Sequence, residues 1–264
     1  MSLANVRREF TRERLKIGLF GLFGVAFLAL ALPAFAEPMT FWTGIFLGEY
    51  YYASHELHHF VLGSFLGLLV LGVVVQAVRP SERVGALHSA IIMWVAFVTV
   101  FTLAGTFSPV FVLLLGLLVG MAIVHPAASD QLPSLESVDK RLAVVAGVTA
   151  VGAITFAGVE LNAQLTLNDG HVQFDHYLFM AAMGLSVAGL ALYGSARGIG
   201  WRYPVYAAAS LLIVFGLASI AYPGGEQGSS LGVAGGALVA LWALSFVALA
   251  EGGETLLERV RTRG

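Results

Sequence analysis

Five of the seven histidines in this 264-residue chain fall in two short segments, and the chain contains no cysteine. The first segment is His55-Glu56-Leu57-His58-His59; the second is Asp169-Gly170-His171 continued by Asp175-His176. The lack of thiols excludes disulfides, iron–sulfur clusters, thiolate metal sites and cysteine catalysis, so any metal must be held by His, Asp, Glu or Met. Neutral imidazole combined with carboxylate suits zinc, nickel, cobalt, iron or copper(II) better than magnesium or calcium, which prefer shells of oxygen. If 55–59 is helical, about 100° per residue brings His55, His58 and His59 within about 100° of arc, with Glu56 about 60° further round. The candidate metal ligands are therefore His55, His58, His59, Asp169, His171, Asp175 and His176. The plain alternative is that interfacial imidazoles and carboxylates face head groups and water. Met180 and Met183, one to two turns beyond His176, can serve copper(I) or simply pack.

The elements that carry these residues are set by composition. The chain is 58% hydrophobic and 11% charged, with a mean hydropathy of +0.84, which excludes a water-soluble domain. Eight apolar runs, roughly 16–36, 57–78, 86–106, 107–125, 142–161, 177–195, 203–222 and 230–250, are each long enough at ~1.5 Å per residue to cross a ~30 Å hydrocarbon core. They are read as helices, because a lone strand cannot satisfy its backbone in lipid. The expected fold is an all-α polytopic membrane protein of about eight transmembrane helices. It forms one membrane domain over residues 1–264, with possible halves 1–126 and 142–264 joined by the polar loop 127–141.

Charge orients this bundle. With the N-terminus in the cytoplasm, all 14 Lys and Arg residues fall on the cytoplasmic side, and the C-terminus lies there too. Glu37, Glu49, Glu56, Glu160, Asp169, Asp175 and Glu226 fall outside, so the formal balance is +5 inside and −7 outside for a net charge of −2. The outer face attracts cations, and no basic stretch is long enough to bind nucleic acid. The first run also reads as a signal peptide, with a basic start and Ala34-Phe35-Ala36 as a small-x-small cleavage pattern. The Gly-rich stretch 223–229 carries no phosphate-loop or dinucleotide fingerprint.

The halves echo each other. His58-His59-Phe60-Val61-Leu62, with Gly67, aligns with Asp175-His176-Tyr177-Leu178-Phe179, with Gly184, at the second span of each half. A parallel duplication of four helices produces this pattern, and so can two interface helices of similar composition. Either way, two His-bearing helix starts are expected at the same side and similar depth.

Several families share parts of this pattern. His55-Glu56-Leu57-His58-His59 read as His-Glu-x-x-His resembles zinc peptidases, in which the histidines bind metal and the glutamate, here Glu56, is the general base. Asp169-Gly170 is similar to the Asp-Gly motif of site-2-type intramembrane proteases, although Thr166 stands where that family has Pro and its site lies toward the cytoplasm. Read as His-x-x-His-His, the same segment resembles one box of the membrane di-iron desaturases, which need more histidines on one face than the five present here. His55-x-x-x-His59 at one helix start, with His171 and His176 before Tyr177-Leu178-Phe179-Met180 and Gly184 at another, resembles the CtaG-type membrane proteins. That resemblance implies a role in copper delivery to cytochrome oxidase and a protein partner in a respiratory or metal-delivery complex. The spacing of His171 to Asp175-His176 is similar to the nickel and cobalt permease signature, one residue short.

His88 and His125 lie at the inner ends of spans three and four, where a histidine ordinarily caps carbonyls or sits at the interface. Paired as axial ligands, with His59 and His176 holding an outer group, they would instead make a b-type haem electron carrier. No ionisable residue falls in the middle of any span, so a path across the bilayer lacks stepping stones. The sequence therefore points to a membrane protein that handles or transports a transition metal, with copper or zinc favoured, at the extracytoplasmic ends of spans two and six. A membrane metalloprotease using Glu56 and a haem carrier are the alternatives.

Overall fold

The computed structural model describes residues 3–47, 54–127 and 132–261, and among them every regular element is a helix. In chain order these are α1 (Leu3–Leu47), α2 (Glu56–Val78), α3 (Val84–Leu103), α4 (Pro109–Ile123), α5 (Lys140–Thr166), the single turn α6 (Gly170–Gln173), α7 (His176–Ser195), α8 (Arg202–Ala221) and α9 (Gly232–Arg261). Seven of them contain stretches long and apolar enough to span a membrane, the first over Glu13–Ala36. α4 is the eighth apolar helix, but its 15 residues give only about 22 Å at ~1.5 Å per residue, short of a full hydrocarbon core. Glu49 and positions 128–131 of the predicted loop 127–141 lie outside the described residues.

Local signals explain where the helices start. Pro109 opens α4 at a position whose N–H has no helical partner in any case. Asp139 caps α5, its Oδ1 accepting from the N–H groups of Arg141 and Leu142, both at 3.1 Å. Asp169 caps the turn α6 by accepting from Val172 N–H at 3.0 Å. Within the helices the apolar residues run all round, as lipid on one side and protein on the other both permit. Which face is buried is therefore decided by packing.

The pairing of helices follows the order of the two expected halves. α1 packs on α2 as α5 packs on α7, α3 packs on α4 as α8 packs on α9, and the cross-contacts α2–α8 and α3–α7 exchange with one another. The central helices are α2, α3, α7 and α8. The two echo glycines do not play matching parts, however. A Cβ on Gly184 would lie 2.7 Å from the Ala153 carbonyl of α5, whereas Gly67 faces open space. On the α3 side the core is aromatic, with Trp94, Phe97 and Phe101 stacked in succession against Phe111 and Phe179.

Chain direction then defines two ends. α2 and α7 begin, and α5 and α8 finish, at one end. At the other, Phe20 of α1 sits edge-on to His125, which touches Gln76 near the end of α2. Arg14, Lys16, Arg79, Arg83, Lys140, Arg141, Arg197 and Arg202 all belong to that second end, which is the segregation the sequence predicts.

The α8–α9 hairpin is drawn tight by glycine. A Cβ on Gly216 would lie 2.6 Å from the Gly236 carbonyl oxygen, and a Cβ on Gly236 would crowd Gly216 reciprocally. With no hydrophobic force between helices in lipid, such close backbone approach supplies much of the association. Gly236→Val is expected to lower the unfolding midpoint in detergent, at an overpacking cost of about 1–3 kcal/mol. Gly147→Val, at a position with nothing within 4 Å, should leave the midpoint almost unchanged.

Candidate metal centre

Four of the five outer histidines converge. His55, His58, His171 and His176 each present one ring nitrogen such that all four atoms lie within 4.8 Å of one another. His58, His171 and His176 are buried, and His55 is half-buried. The rings of His55 and His58 lie 4.6–4.9 Å from those of His171 and His176, centroid to centroid. His55 and His176 meet through their Nδ1 atoms at 3.0 Å. Four nitrogens at ~2.0–2.1 Å from one tetrahedral ion stand about 3.3 Å apart, so the set is close to the size of a single coordination sphere.

The backbone that delivers these rings is unusual at two points. Ser54, immediately before His55, has φ 69°, and Asp175, immediately before His176, has φ 56°. Residues other than glycine enter this left-handed region at a cost, and such positions concentrate at functional sites. Here each one turns the chain sharply into the helix start that carries a cluster histidine. His55 itself stands just before α2 with φ −119° and ψ 1°, so it leaves the arc expected for a helical 55–59 segment.

Hydrogen-bond chemistry assigns which nitrogen two of these rings hold out. Ser229 Oγ donates to Glu160 Oε2 at 2.7 Å and lies 2.9 Å from His58 Nε2. A hydroxyl has one proton, so with Glu160 ionised and taking it, Ser229 accepts from an Nε2–H on His58. The Nδ1 of His58 then carries a lone pair; it is buried and has no hydrogen-bond partner. His171 Nε2 lies 3.0 Å from the Ser54 carbonyl oxygen, which can only accept, so Nδ1 is again the nitrogen with the lone pair. An orphaned buried acceptor inside a ring of imidazoles is what a cation would satisfy, and the neutral, all-nitrogen donor set fits zinc or copper better than a hard cation.

The remaining predicted residues surround the four. His59 stacks on His55 at 6.2 Å and meets His176 edge-on at 5.1 Å by ring centroids, alongside the group. Asp169 Oδ2 lies 3.8 Å from His171 Nδ1 and accepts from the Tyr177 hydroxyl at 3.0 Å. Burial alone would push the Asp169 carboxyl up, but the Val172 N–H and the Tyr177 hydroxyl hold it below the usual carboxylate range. Asp175 turns away, its Oδ1 accepting from Gln164 at 3.2 Å, and burial raises its pKa. Glu56 accepts from the Gln227 amide at 2.8 Å, while Gln227 Oε1 takes the N–H of Leu57 at 3.2 Å. Burial first, and His171 second, keep His55 below the ordinary imidazole pKa against the opposing pull of Glu56 and Asp169. Phe174 covers the group from outside, 5.8 Å from His55 and 5.7 Å from His176.

Sequence reasoning passed over Ser54, Gln227 and Ser229. The last two lie in the Gly-rich connection between α8 and α9, whose polar Gln227-Gly228-Ser229-Ser230 run was the available signal. At the opposite end, His88 meets the Tyr193 hydroxyl through Nδ1. His125 accepts from Ala127 N–H at 3.0 Å and contacts Gln76 through Nε2, so both its nitrogens are engaged. Burial, then the neighbouring His88, lower the His125 pKa to about 4, which keeps it neutral.

The tautomer assignment is directly testable. Nitrogen NMR of selectively labelled, metal-free protein should show His58 protonated at Nε2 alone, and Ser229→Ala should convert it to a mixture of both tautomers. A His58 signal that Ser229→Ala leaves unchanged would show that the serine does not set it. Compared with protein-family models, curated proteins and solved structures, the chain matches none.

Proposed function

We propose that the protein binds a transition-metal ion on His55, His58, His171 and His176 and serves in metal handling, receiving or delivering the ion at the extracytoplasmic face of the cell membrane. The observation that carries this reading is the buried, unpartnered Nδ1 of His58 inside a group of four imidazoles. The second layer supports it. Glu160 through Ser229, and the Ser54 carbonyl, orient two of the rings as outer-shell partners orient metal-bound histidines elsewhere. The charge asymmetry supports the extracytoplasmic assignment, since every described basic side chain stands at the far end of the bundle. Zinc and copper are favoured by the donor set, and the likeness to CtaG-type proteins favours copper and a partner in a respiratory or metal-delivery complex.

Delivery is preferred over hydrolysis because Glu56, the general base a metalloprotease reading requires, is held by Gln227. A haem electron carrier finds no support in the pairing of His125 with Gln76 and Ala127, which engages both ring nitrogens and leaves no lone pair free for iron.

Elemental analysis of protein purified without chelator, then loaded in turn with zinc and copper, tests the proposal. About one ion per chain is expected, with removal of the outer partner Ser229 costing about 10–100-fold in affinity. His58→Ala and His176→Ala should release metal, whereas Glu56→Gln and His125→Ala should retain it. Retention of metal by His58→Ala would overturn the site. Orientation is checked separately: a tag after residue 226 should be labelled from outside intact cells and a tag within 132–139 only after permeabilisation.

A further inference from the structure

A recess of about 710 Å³ opens at the opposite end of the bundle, between the end of α2, the starts of α3 and α8, and the connection 196–201. Its lining includes Arg83, Arg197, Arg202, Trp201, Tyr203 and Tyr206. None of these residues takes part in the histidine cluster.

The arginines are partly committed. Arg197 Nη2 donates to Asp139 at 2.9 Å and to the Ala250 carbonyl at 2.7 Å, but its Nη1 is buried with no hydrogen-bond partner. Arg202 makes a two-point pair with Glu251 at 3.0 and 3.3 Å. Both guanidinium groups lie over the Trp201 ring, at 4.0 and 4.9 Å from its centroid. Arg83 makes one long hydrogen bond, 3.5 Å to the Val75 carbonyl, and no ion pair among the described residues. Glu82, also in the lining, is paired with Arg79 at 3.3 Å. The arginines lining the recess thus include one without an ion pair, Arg83, and one, Arg197, with a buried guanidinium nitrogen that has no hydrogen-bond partner.

Its surroundings are apolar and face outward. Leu71, Val74 and Val78 recur at helical spacing beside Val75 of the lining and are 46%, 41% and 67% exposed. They form a track along α2 leading from the recess toward the middle of the span. Tyrosine and tryptophan at the same level match the aromatic belt of a membrane interface. A free anion would use the arginines only; a ligand with a phosphate head and acyl chains would use both the arginines and the track.

We propose that this recess binds the head group of an anionic phospholipid, with its phosphate on Arg83 and Arg197 and its chains along Leu71, Val74 and Val78. Basic pockets between transmembrane helices are a recurrent mode of recognising such head groups.

Native mass spectrometry of the full chain in detergent, with dioctanoyl phosphatidylglycerol, dioctanoyl phosphatidylcholine and inorganic phosphate as separate additives, tests this. Phosphatidylglycerol should be retained about tenfold more strongly than phosphatidylcholine, a difference of about 1.4 kcal/mol. Arg83→Gln should abolish that preference, while Arg141→Gln, an exposed arginine at the same end outside the lining, should keep it. Equal retention of the two lipids by wild-type protein would overturn the proposal, as would an unchanged preference in Arg83→Gln. Displacement of phosphatidylglycerol by an equal concentration of inorganic phosphate would overturn the lipid assignment in favour of a solute anion site. Should Arg83→Gln fail to fold, the wild-type comparison of the two lipids still decides the question.

Discussion

A polar atom buried in an apolar helix bundle must find a partner within the protein, because neither lipid nor water can supply one. That constraint shapes both ends of this molecule. At the histidine end it links the start of α2 to the α8–α9 connection through Ser229 and to α5 through Glu160. At the other end it ties Asp139, Arg197 and the Ala250 carbonyl together across α5, the connection after α7, and α9. Between them the packing is close to purely apolar, with aromatic stacking and glycine contacts doing the work that hydrogen bonds do at the ends.

At the histidine end the constraint is left unmet at one ring nitrogen. His58 Nδ1 lies buried and without a hydrogen-bond partner among three other imidazoles. A cation held there would relieve the orphaned acceptor. The backbone contributes to the same end, because the left-handed residues Ser54 and Asp175 precede His55 and His176, a cost that the fold sustains where it orients these rings. The two helix starts are alike in this respect although their residues differ, which matches the way the two halves pack.

Much of this was legible from residue types and spacing. Composition and run length determined an all-helical membrane bundle, and the complete segregation of Lys and Arg determined that the two ends differ in charge. The spacing in His55-Glu56-Leu57-His58-His59 and in His171 to His176 marked the right segments, since histidines near two helix starts on one side can meet only if those helices pack together. The sequence could not say which histidines would meet. Ligand choice depends on rotation of α2 about its axis and on the backbone turn at Ser54, and a helix apolar on all sides carries no periodic signal that sets its rotation. That is why His59 stands beside the group and His58 within it. Nor could spacing reveal the partners Ser229 and Gln227, more than 160 residues away from His58 and Leu57 in the chain, or the turning of Asp175 and Glu56 toward Gln164 and Gln227. The sequence by itself determined the class of the fold and the inventory of candidate ligands. Tertiary structure decided which nitrogen atoms converge, because that rests on the packing of α2 against α7 and α8, contacts between residues that are distant in the chain and individually unremarked.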